Sequence, residues 1–150
     1  MAGTFSRLLY HIVFSTKQRA PLIDPDLRAE LYPYIGGIIR QQGGWLLALG
    51  GIPDHVHILV RLKPVLAVAD LVREVKSGSS KWIHERARSI PDFGWQTGYA
   101  VFSVSESNEG VVRRYIQNQE EHHRKATFKQ ELVALLQKHG IEYDPAYLWD

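Results

Sequence analysis

His55 and His57 are separated by one residue, and Tyr115 and Gln119 by one helical turn. On a strand, alternate side chains point to the same side, so the two imidazoles lie about 6–7 Å apart at their Cα atoms and can converge on one cation. On a helix, residues four apart share a face, which directs a phenol and an amide oxygen the same way. A tyrosine attacking a phosphodiester yields a covalent phosphotyrosine that keeps the ester bond energy for rejoining and needs no nucleotide cofactor. The reference pKa of a phenol is about 10, so such a nucleophile requires a cation at the phosphate or a nearby base. Gln119 is suited to be a third ligand, and Glu120, His122 and His123 are further donors for metal or proton transfer. The chain has no cysteine, which excludes disulfides, thiolate zinc sites and cysteine nucleophiles. Imidazole with oxygen donors favours Mg²⁺ or Mn²⁺ over structural zinc.

Each pair also has a plain structural reading. A bare His-x-His is short and common, and fits a residue capping the turn after Pro53-Asp54 followed by an ordinary histidine. Tyr115 sits among Val111, Val112 and Ile116, where a core aromatic with a satisfied hydroxyl is equally natural. The residues alone leave both readings open.

The elements that would carry these side chains follow from periodicity and turn chemistry. Residues 8–16 are β-branched and aromatic and read as a central first strand. Asp24 and Pro25 open a helix whose stripe of Leu27, Leu31, Ile35, Ile38 and Ile39 ends at Gly43-Gly44. Trp45–Leu49 and His55–Leu62 read as a hairpin joined through residues 50–54, with Val56, Ile58, Val60 and Leu62 on the core face and the histidines on the face the helices leave free. Residues 65–88 read as one helix, weakest at Ser77-Gly78-Ser79-Ser80. A strand over 99–105, a helix capped by Ser107 or Asn108 and running to about His123, and a last helix over 128–138 complete the order. The βαββαβ sequence of elements predicts an α+β, ferredoxin-like antiparallel sheet with helices on one face, followed by C-terminal helices.

With 150 residues and 45% apolar content, the chain suits one domain with a real core. A net charge of +2 is compatible with nucleic-acid binding without establishing it. The N-terminus lacks the pattern of a secretion signal, and no apolar run approaches the ~20 residues of a membrane span, so a soluble, cytoplasmic protein with no membrane partner is expected.

Pro53-Asp54-His55-Val56-His57-Ile58-Leu59-Val60, Trp95-Gln96-Thr97-Gly98-Tyr99 and Tyr115-Ile116-Gln117-Asn118-Gln119-Glu120-Glu121-His122-His123 together resemble the IS200/IS605-type transposases, the single-tyrosine members of the HUH nucleases. His11-Ile12-Val13-Phe14-Ser15-Thr16-Lys17 is similar to that family's first strand. The resemblance runs from about Tyr10 to about Phe128. It implies a transposase domain over residues 1–124, with 125–150 as the C-terminal helix and tail of the same domain. It also implies binding of hairpin-containing single-stranded DNA, metal ligation by His55, His57 and Gln119, and attack by Tyr115 to leave a 5′-phosphotyrosine and a free 3′-hydroxyl. It further implies a cytoplasmic enzyme, nucleoid-associated when acting, and a homodimer in which Tyr115 works either in its own subunit or across to the other.

Backbone phosphates and exposed bases call for cations and flat rings. Lys17, Arg19, Lys76, Lys81, Arg113 and Arg114, with Trp95 or Tyr99, are the candidates; Trp45 and Trp82 are expected in the core. Gly78 is expected either to admit a phosphate or to relieve helix packing. A host-adapted relative processing repeat hairpins is a second reading. An RRM-like binder would display exposed aromatics on its central strands, and a two-histidine phosphoesterase would need a second His-x-Thr/Ser motif; neither pattern occurs.

Overall fold

The computed structural model describes residues 3–86 and 88–148. Strands β1 (Leu8–Ser15), β2 (Trp45–Ile52), β3 (His55–Leu62) and β4 (Ala100–Val104) form an antiparallel sheet in the order β2-β3-β1-β4. Helix α1 (Pro25–Gln41) joins β1 to β2, and α2 (Val68–Glu85) joins β3 to β4. This is the ferredoxin-like α+β arrangement. Short helices α3 (Glu109–Gln117) and α4 (Gln119–His122) and the longer α5 (Phe128–Lys138) follow.

Helix α1 begins as its sequence dictates: the Asp24 carboxylate accepts from the Leu27 amide at 2.8 Å, and Pro25 occupies the first turn. Pro33 lies inside the helix without ending it. An internal proline costs about 3 kcal/mol, but Leu31, Ile35 and Ile39 are fully buried on the sheet, each worth roughly 1.5–3 kcal/mol. Burial wins. Helix α2 is continuous through its small-residue centre, which proves to be the crossing with α1: a Cβ at Gly78 would stand 2.9 Å from the Ile38 side chain. Beside it, buried Ser79 accepts from the Trp95 indole at 2.9 Å. Gly78 therefore serves packing.

Both faces of the sheet are covered. Ile12, Phe14, Val56, Ile58, Val60 and Leu62 meet α1 and α2 in the main core. On the other face Val13 and Phe102 pack with Phe128, Leu132 and Leu136 of α5, while Ala48 and Leu59 pack with Ile116 of α3. The histidine face of β3 is consequently buried under the C-terminal helices rather than left free, because those helices are amphipathic and bring their own apolar stripes to it.

Two boundaries differ from expectation for physical reasons. Strand β2 runs on to Ile52, so Gly50 and Gly51 are strand residues and only Pro53-Asp54 form the turn. The glycines reflect close approach: a Cβ at Gly50 would sit 2.2 Å from the Ile116 carbonyl oxygen, and one at Gly51 equally close to that of His55. The helix carrying Tyr115 ends at Gln117, since Asn118 (φ −102°, ψ 26°) leaves helical geometry before α4 begins. Asn108 stands at its N-cap position without a capping side-chain bond. Trp45 is 44% exposed, with the Arg61 guanidinium 4.0 Å over its ring. It lies on the edge strand, outside the core; Trp82 is half-buried and stacks on Tyr34.

Gly50→Ala should force α3 off β2 and cost about 1–3 kcal/mol, as overpacking does, while Gly37→Ala, where a Cβ meets nothing within 4 Å, should gain about 0.5–1 kcal/mol of helix stability. Thermal melting followed by circular dichroism distinguishes the two; equal melting temperatures would show that α3 is not seated on Gly50.

Candidate active site

The site is built where β3, β1 and the C-terminal helices meet. His55 and His57 have no solvent exposure, because pairing with β1 and β2 places them mid-sheet and α3 to α5 close over them. Helix α5 starts with a capping box, Thr127 accepting from the Gln130 amide and Gln130 accepting from that of Thr127. One turn in, Glu131 points inward and is 3% exposed.

The two oxygens of Glu131 face different partners. Oε1 lies 2.9 Å from His57 Nε2, 3.1 Å from His55 Nε2 and 3.2 Å from His123 Nε2. Oε2 accepts from the Tyr115 hydroxyl and from the Gln119 amide, the latter at 3.0 Å. Gln119 Oε1 is 3.1 Å from His55 Nε2 and 3.0 Å from His123 Nε2. One carboxylate thus joins His55, His57 and Gln119 to the nominated nucleophile, while Glu120 turns away to pair with Arg28.

The hydrogen-bond chemistry of this cluster calls for positive charge. His55 Nδ1 is 2.7 Å from the Asp54 carboxylate, and His123 Nδ1 is 2.7 Å from the Ala126 carbonyl. Both partners only accept, so each Nδ1 carries the proton, and in a neutral ring each Nε2 then presents a lone pair. Those lone pairs face the oxygens of Gln119 and Glu131. Either the rings are imidazolium or a cation stands among the donors, and an outer N–H tied to a carboxylate or carbonyl is the habit of metal-ligating histidines. Ligand atoms of His55, His57, His123 and Glu131 all lie within 4.8 Å of one another, and the buried His122 Nε2, 3.4 Å from Glu131 Oε2, makes no hydrogen bond. The donor set fits a divalent metal bound by nitrogen and oxygen.

Titration follows the same geometry. Burial opposes charge on Glu131, but hydrogen bonds from His123, His55 and His57 outweigh it and hold the carboxyl well below its ordinary range. Burial likewise opposes charge on His55, and the Asp54 and Glu131 bonds overcome it, raising its pKa. For His57 burial prevails and the pKa falls. Burial first, and then the bond to Glu131, push the Tyr115 phenol above its ordinary value.

Residues 4–119 match the family model described as IS200-like transposase. The chain belongs to the IS200-like transposase family. The ISDra2 transposase TnpA of Deinococcus radiodurans is 25% identical over 122 residues, covering 78% of this chain and 87% of that protein. The IS200 transposase of Salmonella typhimurium is 27% identical over 129 residues, covering 79% and 81%. Among solved structures, a Deinococcus radiodurans protein assigned as a transposase shares 28% identity with a TM-score of 0.65, over 79% of this chain and 95% of its own. A REP-associated tyrosine transposase bound to a REP hairpin has a TM-score of 0.62 at 14% identity, over 82% of this chain and 74% of its own, a likeness of fold.

Within this transposase, Tyr115 and Gln119 meet the histidines of their own chain; the Tyr115 and His57 ring centroids are 5.6 Å apart. Tyr115 also lines a cleft of about 340 Å³ together with His11, Phe102, Val112, His122 and Glu131. Of the nominated cations, Lys17 and Arg114 are exposed and Arg19 is half-buried. Arg113 pairs with Glu109 at 2.9 Å. Lys76 donates to the Gln96 and Gly98 carbonyls at 2.8 and 2.6 Å, and burial lowers its pKa to about 8. Trp95 packs on Phe14 and Phe93, while Tyr99 is exposed.

Two residues at the site were not among those the sequence nominated. Glu131, twelve residues beyond the family match, lies three residues after Phe128 and four before Leu135, on the buried stripe of α5 where a charged residue is the exception. His11, 4% exposed on β1, lies with Nε2 2.8 Å from His57 Nδ1; its alternation with Val13 and Ser15, in register with Leu59, His57 and His55, was the one available clue.

Thr127→Ala removes the cap that fixes where α5 begins, at a cost of about 1 kcal/mol. A melting temperature lowered by a few degrees is expected; an unchanged one would mean the packing of Phe128 and Leu132 alone sets α5.

Proposed function

We propose that this IS200-like transposase cleaves and rejoins hairpin-containing single-stranded DNA through a covalent 5′-phosphotyrosine on Tyr115, at a divalent metal held by His55, His57 and Gln119. The observation that carries the reading is the convergence of Tyr115 and Gln119 on His55 and His57 within one chain, joined by hydrogen bonds to a single buried carboxylate. The nucleic-acid class follows the resemblance and the fold neighbour bound to a REP hairpin.

The metal, Mg²⁺ or Mn²⁺, would polarise the scissile phosphoryl oxygen and offset charge developing on the phosphate. Tyr115 is held in the wall of the cleft with its hydroxyl hydrogen-bonded, which fixes the attacking oxygen. That oxygen forms the bond to phosphorus as the bond from phosphorus to the 3′ oxygen breaks. The phenolic proton passes to a neighbouring acceptor, and the departing 3′ oxygen takes up a proton to leave as a hydroxyl. Rejoining runs the same steps backward with a 3′-hydroxyl attacking and Tyr115 leaving. Asp54 and Ala126 hold His55 and His123 in the tautomers that aim Nε2 inward. Exposed Lys17 and Arg114 meet the DNA backbone in this reading, and Lys76 orders the 96–98 loop. Because the site assembles in one chain, we place the tyrosine helix in cis; a homodimer, if formed, would then serve to bring two DNA ends together.

Incubation with labelled hairpin-containing single-stranded DNA and Mn²⁺ should give a denaturation-resistant protein–DNA adduct that is lost in Tyr115→Phe and on chelation. His57→Ala should slow adduct formation by roughly a hundredfold or more, on the order of a lost electrostatic stabiliser. An adduct that persists in Tyr115→Phe would remove Tyr115 as the nucleophile.

A further inference from the structure

We infer that Glu131, on the helix beyond the family match, is a further metal ligand through Oε1 and the positioning residue of Tyr115 through Oε2. The inference rests on the metal-site reading of His55 and His57 and extends it to a residue that reading does not contain.

Three observations support it. Glu131 is 3% exposed among polar side chains, and an anion so buried is retained only where it is paired or bound to a cation. Its oxygens divide by function: Oε1 is within 3.2 Å of the inner nitrogens of His55, His57 and His123, whereas Oε2 takes the Tyr115 hydroxyl and the Gln119 amide. Finally, His55 and His123 each have the outer nitrogen bound to an acceptor, so their inner lone pairs and Oε1 point at shared space. Two neutral imidazole lone pairs and a carboxylate oxygen repel one another unless a cation lies between them. A carboxylate is a natural ligand for Mg²⁺ or Mn²⁺.

The two roles are linked through one rigid group. When Oε1 is drawn to a cation, the carboxylate plane is fixed, and with it the acceptor that aligns the Tyr115 O–H. Tyr115 attacks as in the proposed reaction, and its proton has Oε2 as the nearest acceptor; on rejoining, the same proton returns to the phenolic oxygen. Residues 1–119 alone would therefore lack a ligand and the group that orients the nucleophile.

The test uses the full chain. Mn²⁺ is titrated into wild type, Glu131→Gln and His57→Ala, with free Mn²⁺ read by electron paramagnetic resonance, and metal-free melting curves establish that each variant is folded. Glu131→Gln should bind Mn²⁺ roughly tenfold or more weakly. At saturating Mn²⁺ and DNA, its single-turnover adduct formation should be slower by a similar factor, while hairpin affinity stays unchanged. Should Glu131→Gln not fold, Glu131→Asp, which keeps the charge but withdraws it by one methylene, is expected to show the same weakened Mn²⁺ binding. Wild-type Mn²⁺ affinity in the folded Glu131 variant, alongside weakened binding in His57→Ala, would overturn the assignment of Glu131 and leave the two-histidine site standing. Wild-type affinity in His57→Ala as well would overturn both.

Discussion

A buried imidazole must satisfy two nitrogens, and this protein buries His55 and His57 completely in the centre of a sheet. An unpaired polar group in that position costs on the order of 1–3 kcal/mol, so the surrounding chain has to deliver partners from elsewhere in the sequence. Asp54 reaches one nitrogen of His55, His11 reaches one of His57, and Gln119 and Glu131 come from α4 and α5 to the others. The arrangement on this face follows from that demand. An ordinary ferredoxin-like sheet could leave its second face to solvent, but a face holding two buried histidines requires a roof, and the roof must carry carboxylate and amide oxygens at fixed positions.

Positioning the roof depends on features that are small and local. Gly50 lets the α3 backbone settle directly on β2, with no room for a side chain between them. Asn118 breaks the helix so that α4 can turn Gln119 under the histidines, and Gln119 remains near its neighbour through a 3.4 Å contact with the Tyr115 carbonyl. The Arg28–Glu120 ion pair at 2.6 Å ties α4 to α1 across the end of the sheet. Thr127 and Gln130 then fix the first turn of α5, and Phe128 stacks on His55 at 4.2 Å between centroids. Each is a modest contribution to stability, yet together they set where Gln119 and Glu131 stand, and a functional site demands finer positioning than folding does.

Much of this was legible from the residues. Asp24-Pro25, the apolar stripe of α1 and the alternation of β3 are written in period and capping chemistry, and they led directly to the observed sheet order. Strand and helix spacing nominated the histidine pair, Tyr115 and Gln119, and only the resemblance to the transposase family favoured the chemical reading over the structural one. Gly50 and Gly51 misled because a glycine pair before Pro-Asp has the composition of a turn; Gly50 answers to a tertiary contact with Ile116 that no local pattern records, and Gly51 to the close His55 carbonyl across the hairpin. Glu131 stands with Phe128 and Leu132 on the buried stripe of α5, a lone charge on an apolar face, but only the docking of that stripe on Phe102 and Val13 shows which histidines its carboxylate meets. His11 was hidden inside an apolar strand, where a histidine has no distinguishing neighbours. Trp45 erred in the opposite direction, since size alone suggested burial while its edge-strand position left it exposed.

The electrostatics of the assembled site oppose ionisation of the Tyr115 phenol. Contact with three histidines outweighs burial and holds the Glu131 carboxyl well below its ordinary range, and burial together with the bond to that carboxylate raises the Tyr115 phenol above its ordinary value. A phenol in that field donates its proton in a hydrogen bond and is a poor nucleophile. Removing the carboxylate would ease the deprotonation but would leave the ring without an orienting acceptor and the inner nitrogen of His57 without its partner. Adding positive charge among those nitrogens reverses the balance: charges a few ångströms apart at the dielectric of a protein surface interact by several kcal/mol, enough to offset a substantial part of the shift. The same carboxylate can therefore restrain Tyr115 in the bare protein and align it once the charge is compensated. If the proposed metal occupies the histidine cluster, the acidity of Tyr115 is coupled to that occupancy through Glu131, a side chain contributed by α5 rather than by the segment that matches the family.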